Sequence, residues 1–180
     1  MPFAKDHVIL VDEQDEWTGT MEKLEAHRKG LLHRAFSVFV LNSKGEMLLQ
    51  RRALAKYHSG GRWSNACCSH PMPGESTIAG AHRRLVEELG FDCRLTRLFD
   101  LRYQADVGSN LTENEYDHIY LGTYQGQVTP NIEEVSDYRY VDIRELEEWR
   151  KKEPESFTAW FHLAMPVFLE RLGLQSSGVA

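Results

Sequence analysis

Trp63-Ser64-Asn65-Ala66-Cys67-Cys68-Ser69-His70-Pro71, followed by Gly74-Glu75 and then Arg83-Arg84-Leu85-Val86-Glu87-Glu88-Leu89-Gly90, decides how this chain is read. Ile78, Ala81, Leu85 and Leu89 recur at the spacing of one helical face, so residues 76–89 form a helix that Gly90 ends at C′. Glu87 and Glu88 fall beside or off that stripe, where the bland expectation is a solvated face. A thiol and a histidine two residues apart at a strand end, followed by an acidic helix, can instead bring a proton-transfer group and a metal into one pocket. Few structural needs would ask for that set.

Working outward, Val8–Val11 reads as a short strand and Met21–Lys29 as an irregular or helical stretch carrying His27. Residues 34–41 and 46–50 read as strands joined by the loop Asn42-Ser43-Lys44-Gly45, a hairpin signal. Further strands are expected near 94–104, 115–124 and 138–142, and helices near 143–151 and 155–170, with Pro166 kinking or shortening the last. Gln175–Ala180 reads as a loose tail. No repeat or linker divides the chain, so residues 1–180 are expected to form one α/β domain, a mixed sheet covered by helices, with its core at about 7–170.

The 180 residues, 42% of them apolar, suffice for one well-formed core. A net charge of −6 offers no basic field for nucleic acid, so a bound anion must meet a local basic cluster. No apolar run approaches the ~18 residues of a membrane span, and the start of the chain lacks a signal peptide's apolar stretch. A soluble cytoplasmic protein is expected. The three cysteines, Cys67, Cys68 and Cys93, form neither a disulfide framework nor a C-x-x-C pattern, which implies reduced thiols. Cys93 is expected to be simply buried.

His27, His33 and His70, with the Glu113-Asn114-Glu115 strand opening, are candidate metal ligands. Glutamates at i and i+2 of a strand share one face. Each feature alone is weak, since a lone histidine is usually structural and an E-x-E pair is usually a wet strand face. Lys23, Arg51, Arg52, Lys56 and Arg84 lie on the same segments and suit a phosphate, Arg by its bidentate fork. Residues alone therefore reach a metal-dependent enzyme acting on an organic phosphate.

The central stretch also resembles the Nudix box, G-x5-E-x7-R-E-U-x-E-E-x-G-U with U apolar, matched in register by Ser69, Glu75, Arg83, Arg84, Leu85, Glu87, Glu88, Gly90 and Phe91. Ser69 replaces the first Gly, and Arg84 replaces the Glu with which Nudix hydrolases hold their water-activating metals. That second departure counts against pyrophosphate hydrolysis. With Asn65-Ala66-Cys67-Cys68-Ser69-His70-Pro71 in front, the box is similar to that of the type I isopentenyl diphosphate isomerases.

This resemblance implies a Nudix-like fold, with helices on both sides of the sheet, and conversion of isopentenyl to dimethylallyl diphosphate in isoprenoid biosynthesis. The reaction it implies is a 1,3-proton shift through a tertiary carbocation. Cys68 and Glu115 would be the proton-transfer groups, Tyr103 would hydrogen-bond the glutamate, and Trp160 would face the cation. His27, His33, His70, Glu113 and Glu115 would hold one divalent metal, Mn²⁺, Zn²⁺ or Mg²⁺, a mixed N/O set suited to such ions. Lys23, Arg52, Lys56 and Arg84 would bind the diphosphate, and Glu88 would hold a Mg²⁺ bridging to it. Cys67 would be a buried neighbour, and His7, His58, His82, His118 and His162 match no family position. The partner expected is a small allylic or homoallylic diphosphate, met by a monomer or weak homo-oligomer. The competing expectations are a Nudix hydrolase of nucleoside diphosphate derivatives and a non-catalytic Nudix-like binding module.

Overall fold

The computed structural model describes residues 6–174, so the expected tail at Gln175–Ala180 lies outside the described residues. The strands are β1 (His7–Val11), β2 (Trp17–Glu22), β3 (His33–Leu41), β4 (Met47–Arg52), β5 (Trp63–Ser64), β6 (Cys67–Ser69), β7 (Leu95–Asp106), β8 (Thr112–Thr123) and β9 (Val135–Val141). They join one mixed sheet, in which β8 runs parallel to β3 and the other pairings are antiparallel. The helices are α1 (Lys23–Lys29), α2 (Thr77–Leu89), α3 (Ile143–Lys152) and α4 (Ala159–Arg171), with a 3₁₀ turn at Pro154–Ser156.

Strand alternation divides the core in two. Phe36, Val38 and Val40 of β3, with Leu48 and Cys67, pack under α2 on Ala81, Leu85 and Leu89. Phe39, Met47, Leu49 and Ile119 face the other way, onto Trp160, Phe161, Met165 and Phe168 of α4. The expected mixed sheet with helices on both sides is therefore what forms. Ser76 caps α2 by accepting from the Ala79 N–H, and Gly90 closes it at φ 72°, as its sequence foretells.

Four local expectations are corrected or refined. The turn at 42–45 forms, but β3 and β4 share only the Leu41–Met47 pair, so they part instead of making a hairpin. β3 is taken along its whole length by β8, and β4 by β9, because both strands are central and buried. Met21–Lys29 divides into the end of β2 and the helix α1, which Glu22 caps. Pro166 lies inside α4 without ending it, since Met165, Phe168 and Leu169 on either side are held in the core. The expected helix at 155–170 is in fact the 3₁₀ turn followed by α4.

Candidate active site

The register of the sheet assembles the polar face of the site. His33 on β3 is paired with Glu115 on β8, which is paired with Tyr103 on β7. Cys68 on β6 is paired with Ser37 on β3. Along β8 the same face carries Glu113, Glu115 and Asp117 before it becomes apolar at Ile119. One sheet face thus changes from titratable groups to core within one strand.

His27 reaches the cluster from α1. His27 Nδ1 lies 2.7 Å from the Lys23 carbonyl and His33 Nδ1 lies 2.8 Å from the Leu31 carbonyl. A carbonyl only accepts, so both Nδ1 atoms carry the proton and both Nε2 atoms present lone pairs. Those two Nε2 atoms are buried without a hydrogen-bond partner. Donor atoms of His27, His33, His70 and Glu115 lie within 4.8 Å of one another. His70 Nε2 is 3.0 Å from Glu115 Oε1. Burial depresses the titration of His27, and that of His70 to about 3, so both imidazoles are neutral and available as ligands near neutral pH. Burial opposes ionisation of Glu115, yet the contact with His70 and the neighbouring His33 imidazole outweigh it and hold the carboxyl well below its usual range. This donor chemistry fits a divalent cation.

Of the five expected metal ligands, Glu113 is turned differently. It groups with His27 and His58, its Oε1 3.4 Å from His58 Nε2, while the Tyr103 hydroxyl lies 3.2 Å from Glu113 Oε2 and 2.7 Å from Glu115 Oε2. Burial and the neighbouring Glu115 charge push the Glu113 carboxyl well above its usual range. His58, which matches no family position, is therefore part of the site. It sits in the loop between β4 and β5, where no periodicity could mark it.

Cys68 lies on the α4 side of β6 and Cys67 on the α2 side, fully buried. The Cys68 sulfur is 3.0 Å from Asn65 Oδ1, 3.0 Å from Trp160 Nε1 and 3.4 Å from Ser37 Oγ. Burial, then the Asp117 carboxyl, push the thiol up to about 12, so it is neutral and protonated. Ser37 Oγ is also 2.7 Å from Asp117 Oδ2. Neither Asp117 nor Ser37 was singled out from sequence, although Asp117 continues the same alternation as Glu113 and Glu115.

Lys23, Arg52, Lys56 and Arg84 all line the pocket, together with Glu88. Lys23, Lys56 and Arg84 also line a groove outside it, which puts them at the mouth. Arg51, on the opposite side of β4, is exposed and donates to the Gly61 carbonyl. Arg52 lies over the Trp160 ring, 5.1 Å from its centroid. Arg84 bonds Glu87 at 2.7 Å, Glu88 at 2.5 Å and Glu134 at 3.2 Å, and Lys56 pairs with Glu134. Burial lowers the Lys56 ammonium to about 8. Glu88 is buried against Arg84 and the Gln50 amide, not solvated. Glu75, by contrast, is a clamp for the loop, held by Arg83 through two contacts of 2.8 Å and by the Met72 N–H. Of the remaining histidines, His82 and His118 bond Asp92 and Asp15, and His162 the Pro154 carbonyl, while His7 lines the outer groove.

A match to the Nudix domain spans residues 31–161. An isopentenyl-diphosphate Delta-isomerase of Pectobacterium atrosepticum is 53% identical over 163 residues, covering 91% of this chain and 90% of that protein. The chain belongs to the isopentenyl-diphosphate Delta-isomerase family. A second member, from Burkholderia multivorans, is 48% identical over 170 residues, 94% of either chain. Solved structures extend the likeness of fold well beyond the family. A crystal structure from Deinococcus radiodurans superposes with a TM-score of 0.73 at 17% identity, over 94% of this chain and 99% of that one. A MutT protein of Methanosarcina mazei gives 0.63 at 19% identity, over 79% of this chain and 95% of that one. Among the described residues, no helix is long and apolar enough to cross a membrane.

Proposed function

We propose that this chain isomerises isopentenyl diphosphate to dimethylallyl diphosphate by a 1,3-proton shift inside the pocket, with Cys68 and Glu115 as its two proton-transfer groups. Relatives that share about half its residues over most of its length carry the isomerase name. The observation that supports the mechanism is the polarity of the pocket. Three cations stand at its mouth, while Cys68, Trp160, Tyr103 and the two glutamates line only the inner part.

A diphosphate held at the mouth by Lys23, Lys56 and Arg84, with Arg52 behind them, leaves the five-carbon chain to enter the inner pocket. One proton-transfer group gives a proton to the terminal methylene, which leaves a tertiary cation at C3. The other removes a proton from C2, so the double bond moves and the proton count is restored. Cys68 is protonated and Glu115 ionised, so one group of each kind is in place before substrate arrives. The Tyr103 hydroxyl donates to Glu115 Oε2 and holds the carboxylate in place. The Trp160 face, already over the Arg52 cation, suits a transient positive charge.

His27, His33, His70, Glu113 and Glu115 would hold the divalent metal, Zn²⁺, Mn²⁺ or Mg²⁺, and Glu88 a Mg²⁺ arriving with the diphosphate. When bound, these ions supply positive charge that keeps Glu115 ionised and neutralises the phosphate oxygens.

Incubation with isopentenyl diphosphate and Mg²⁺ in deuterated water tests the reading. Dimethylallyl product carrying deuterium in a methyl group is expected. Phosphate or nucleotide release from diphosphate substrates without allylic product would instead make the chain a hydrolase.

A further inference from the structure

Six candidate donors stand in two groups that share His27. One group joins His27 to His33, His70 and Glu115 and the other joins it to His58 and Glu113, and within each group the donor atoms lie within 4.8 Å of one another. Because His27 Nδ1 is committed to the Lys23 carbonyl, its single remaining lone pair cannot serve two ions. An ion on His27 Nε2 is therefore the single ion that the two groups can share. Bonds of about 2.1 Å put cis donors about 3 Å apart and trans donors about 4.2 Å apart, so the donors, within 4.8 Å of one another in each group, would draw together on an ion.

His58 is built for such a place. It is buried, its Nδ1 is 3.3 Å from Ser59 Oγ, and its ring is held edge-on by Tyr57 at 4.4 Å and by Trp160 at 5.9 Å. That leaves Nε2 directed inward. It stands 3.4 Å from Glu113 Oε1, longer than a good hydrogen bond and suited to two donors sharing an ion. The Tyr103 hydroxyl reaches both carboxylates and keeps Glu113 beside Glu115.

We infer that His58 is a sixth protein ligand of this metal, which is then held by four imidazoles and two carboxylates. This inference rests on the metal reading of the site given above. An N₄O₂ set favours Co²⁺, Ni²⁺ or Zn²⁺ over Mg²⁺ and leaves no coordination position for substrate. The ion would act through Glu115, not by touching the hydrocarbon.

The test is titration of metal-free protein with Co²⁺, read by dissociation constant and by the visible absorption of the bound ion. The parent should give the weak bands of six-coordinate Co²⁺. His58→Phe keeps an aromatic ring and removes the donor. It should weaken Co²⁺ binding at least tenfold and intensify the bands as coordination falls to five. His58→Ala should regain parent affinity and spectrum when imidazole is added, which separates loss of a ligand from loss of fold. His70→Ala is the control for the site as a whole. If it releases Co²⁺ while His58→Phe binds within twofold of the parent and with the parent's spectrum, or if imidazole restores nothing to His58→Ala, the sixth ligand is refuted and the site stands. If neither His70→Ala nor His58→Phe changes binding, the metal reading falls with it.

Discussion

The indole Nε1 of Trp160 lies 3.0 Å from the Cys68 sulfur, joining the residue proposed to face the cation to the residue proposed to move the proton. With Asn65 accepting from the thiol and Ser37 within 3.4 Å, the sulfur is fixed by three neighbours. Trp160 therefore serves twice. Its N–H orients the thiol and its face lines the space beside it.

Trp160→Phe should keep part of the rate and Trp160→Leu much less, with KM changing little. A ring over a developing cation stabilises the transition state more than the neutral substrate, so the loss falls on kcat. Both variants lose the N–H to Cys68, so the gap between them measures the ring face alone. An analogue with an ammonium at the cationic carbon should lose affinity in the same order. Equal kcat for Trp160→Leu and the parent would leave Trp160 a core residue only.

Cys68→Ala should abolish isomerisation, a loss of ~10²–10⁴-fold or more for a proton-transfer group. Cys67→Ala should retain most activity and lose about 1 kcal/mol of stability, because its sulfur is buried under α2 on the opposite sheet face. Steady-state rates and denaturant midpoints for both variants check this. The opposite pattern would mean that the pocket uses the wrong sulfur.

Diphosphate capture should weaken above pH about 8, where the Lys56 ammonium, lowered by burial, loses its proton. The group is charged below that pKa and neutral above it, so kcat/KM should fall as pH rises through it. Lys56→Arg, which stays charged, should move that fall upward. An unchanged profile would show that Lys56 does not bind the diphosphate.

Replacing Glu88 should raise the Mg²⁺ needed for substrate binding without releasing the ion held by the histidines, whereas His70→Ala should release that ion. Metal analysis beside Mg²⁺-dependence of KM separates the two. Full metal content in a His33/His70 double variant would sink the assignment.

Gly90→Ala should cost about 2 kcal/mol and lower Tm by about 4–8 °C. Gly90 sits at φ +72°, and an added Cβ would lie 2.6 Å from the Thr129 carbonyl oxygen. Thermal denaturation measures it, and kcat at moderate temperature should be unchanged. An unchanged Tm would mean that the helix end relaxes freely.

Elements with a strong local cause were legible in the chain itself. The α2 stripe of Ile78, Ala81, Leu85 and Leu89 and its Gly90 stop are local, and so is the alternation that puts Glu113 and Glu115 on one face. The resemblance of residues 65–91 to a known box supplied the pocket residues that local pattern could not. The parting of β3 and β4 after one pair emerges only in the folded sheet, because which strand lies beside which is set by burial of both faces, not by the turn between them. Only folding brought His58 beside Glu113, Asp117 beside Ser37 and the Trp160 N–H onto Cys68, contacts between residues 55, 80 and 92 positions apart. Such contacts arise from the summed geometry of sheet, loop and helix, and no periodicity in the chain encodes them.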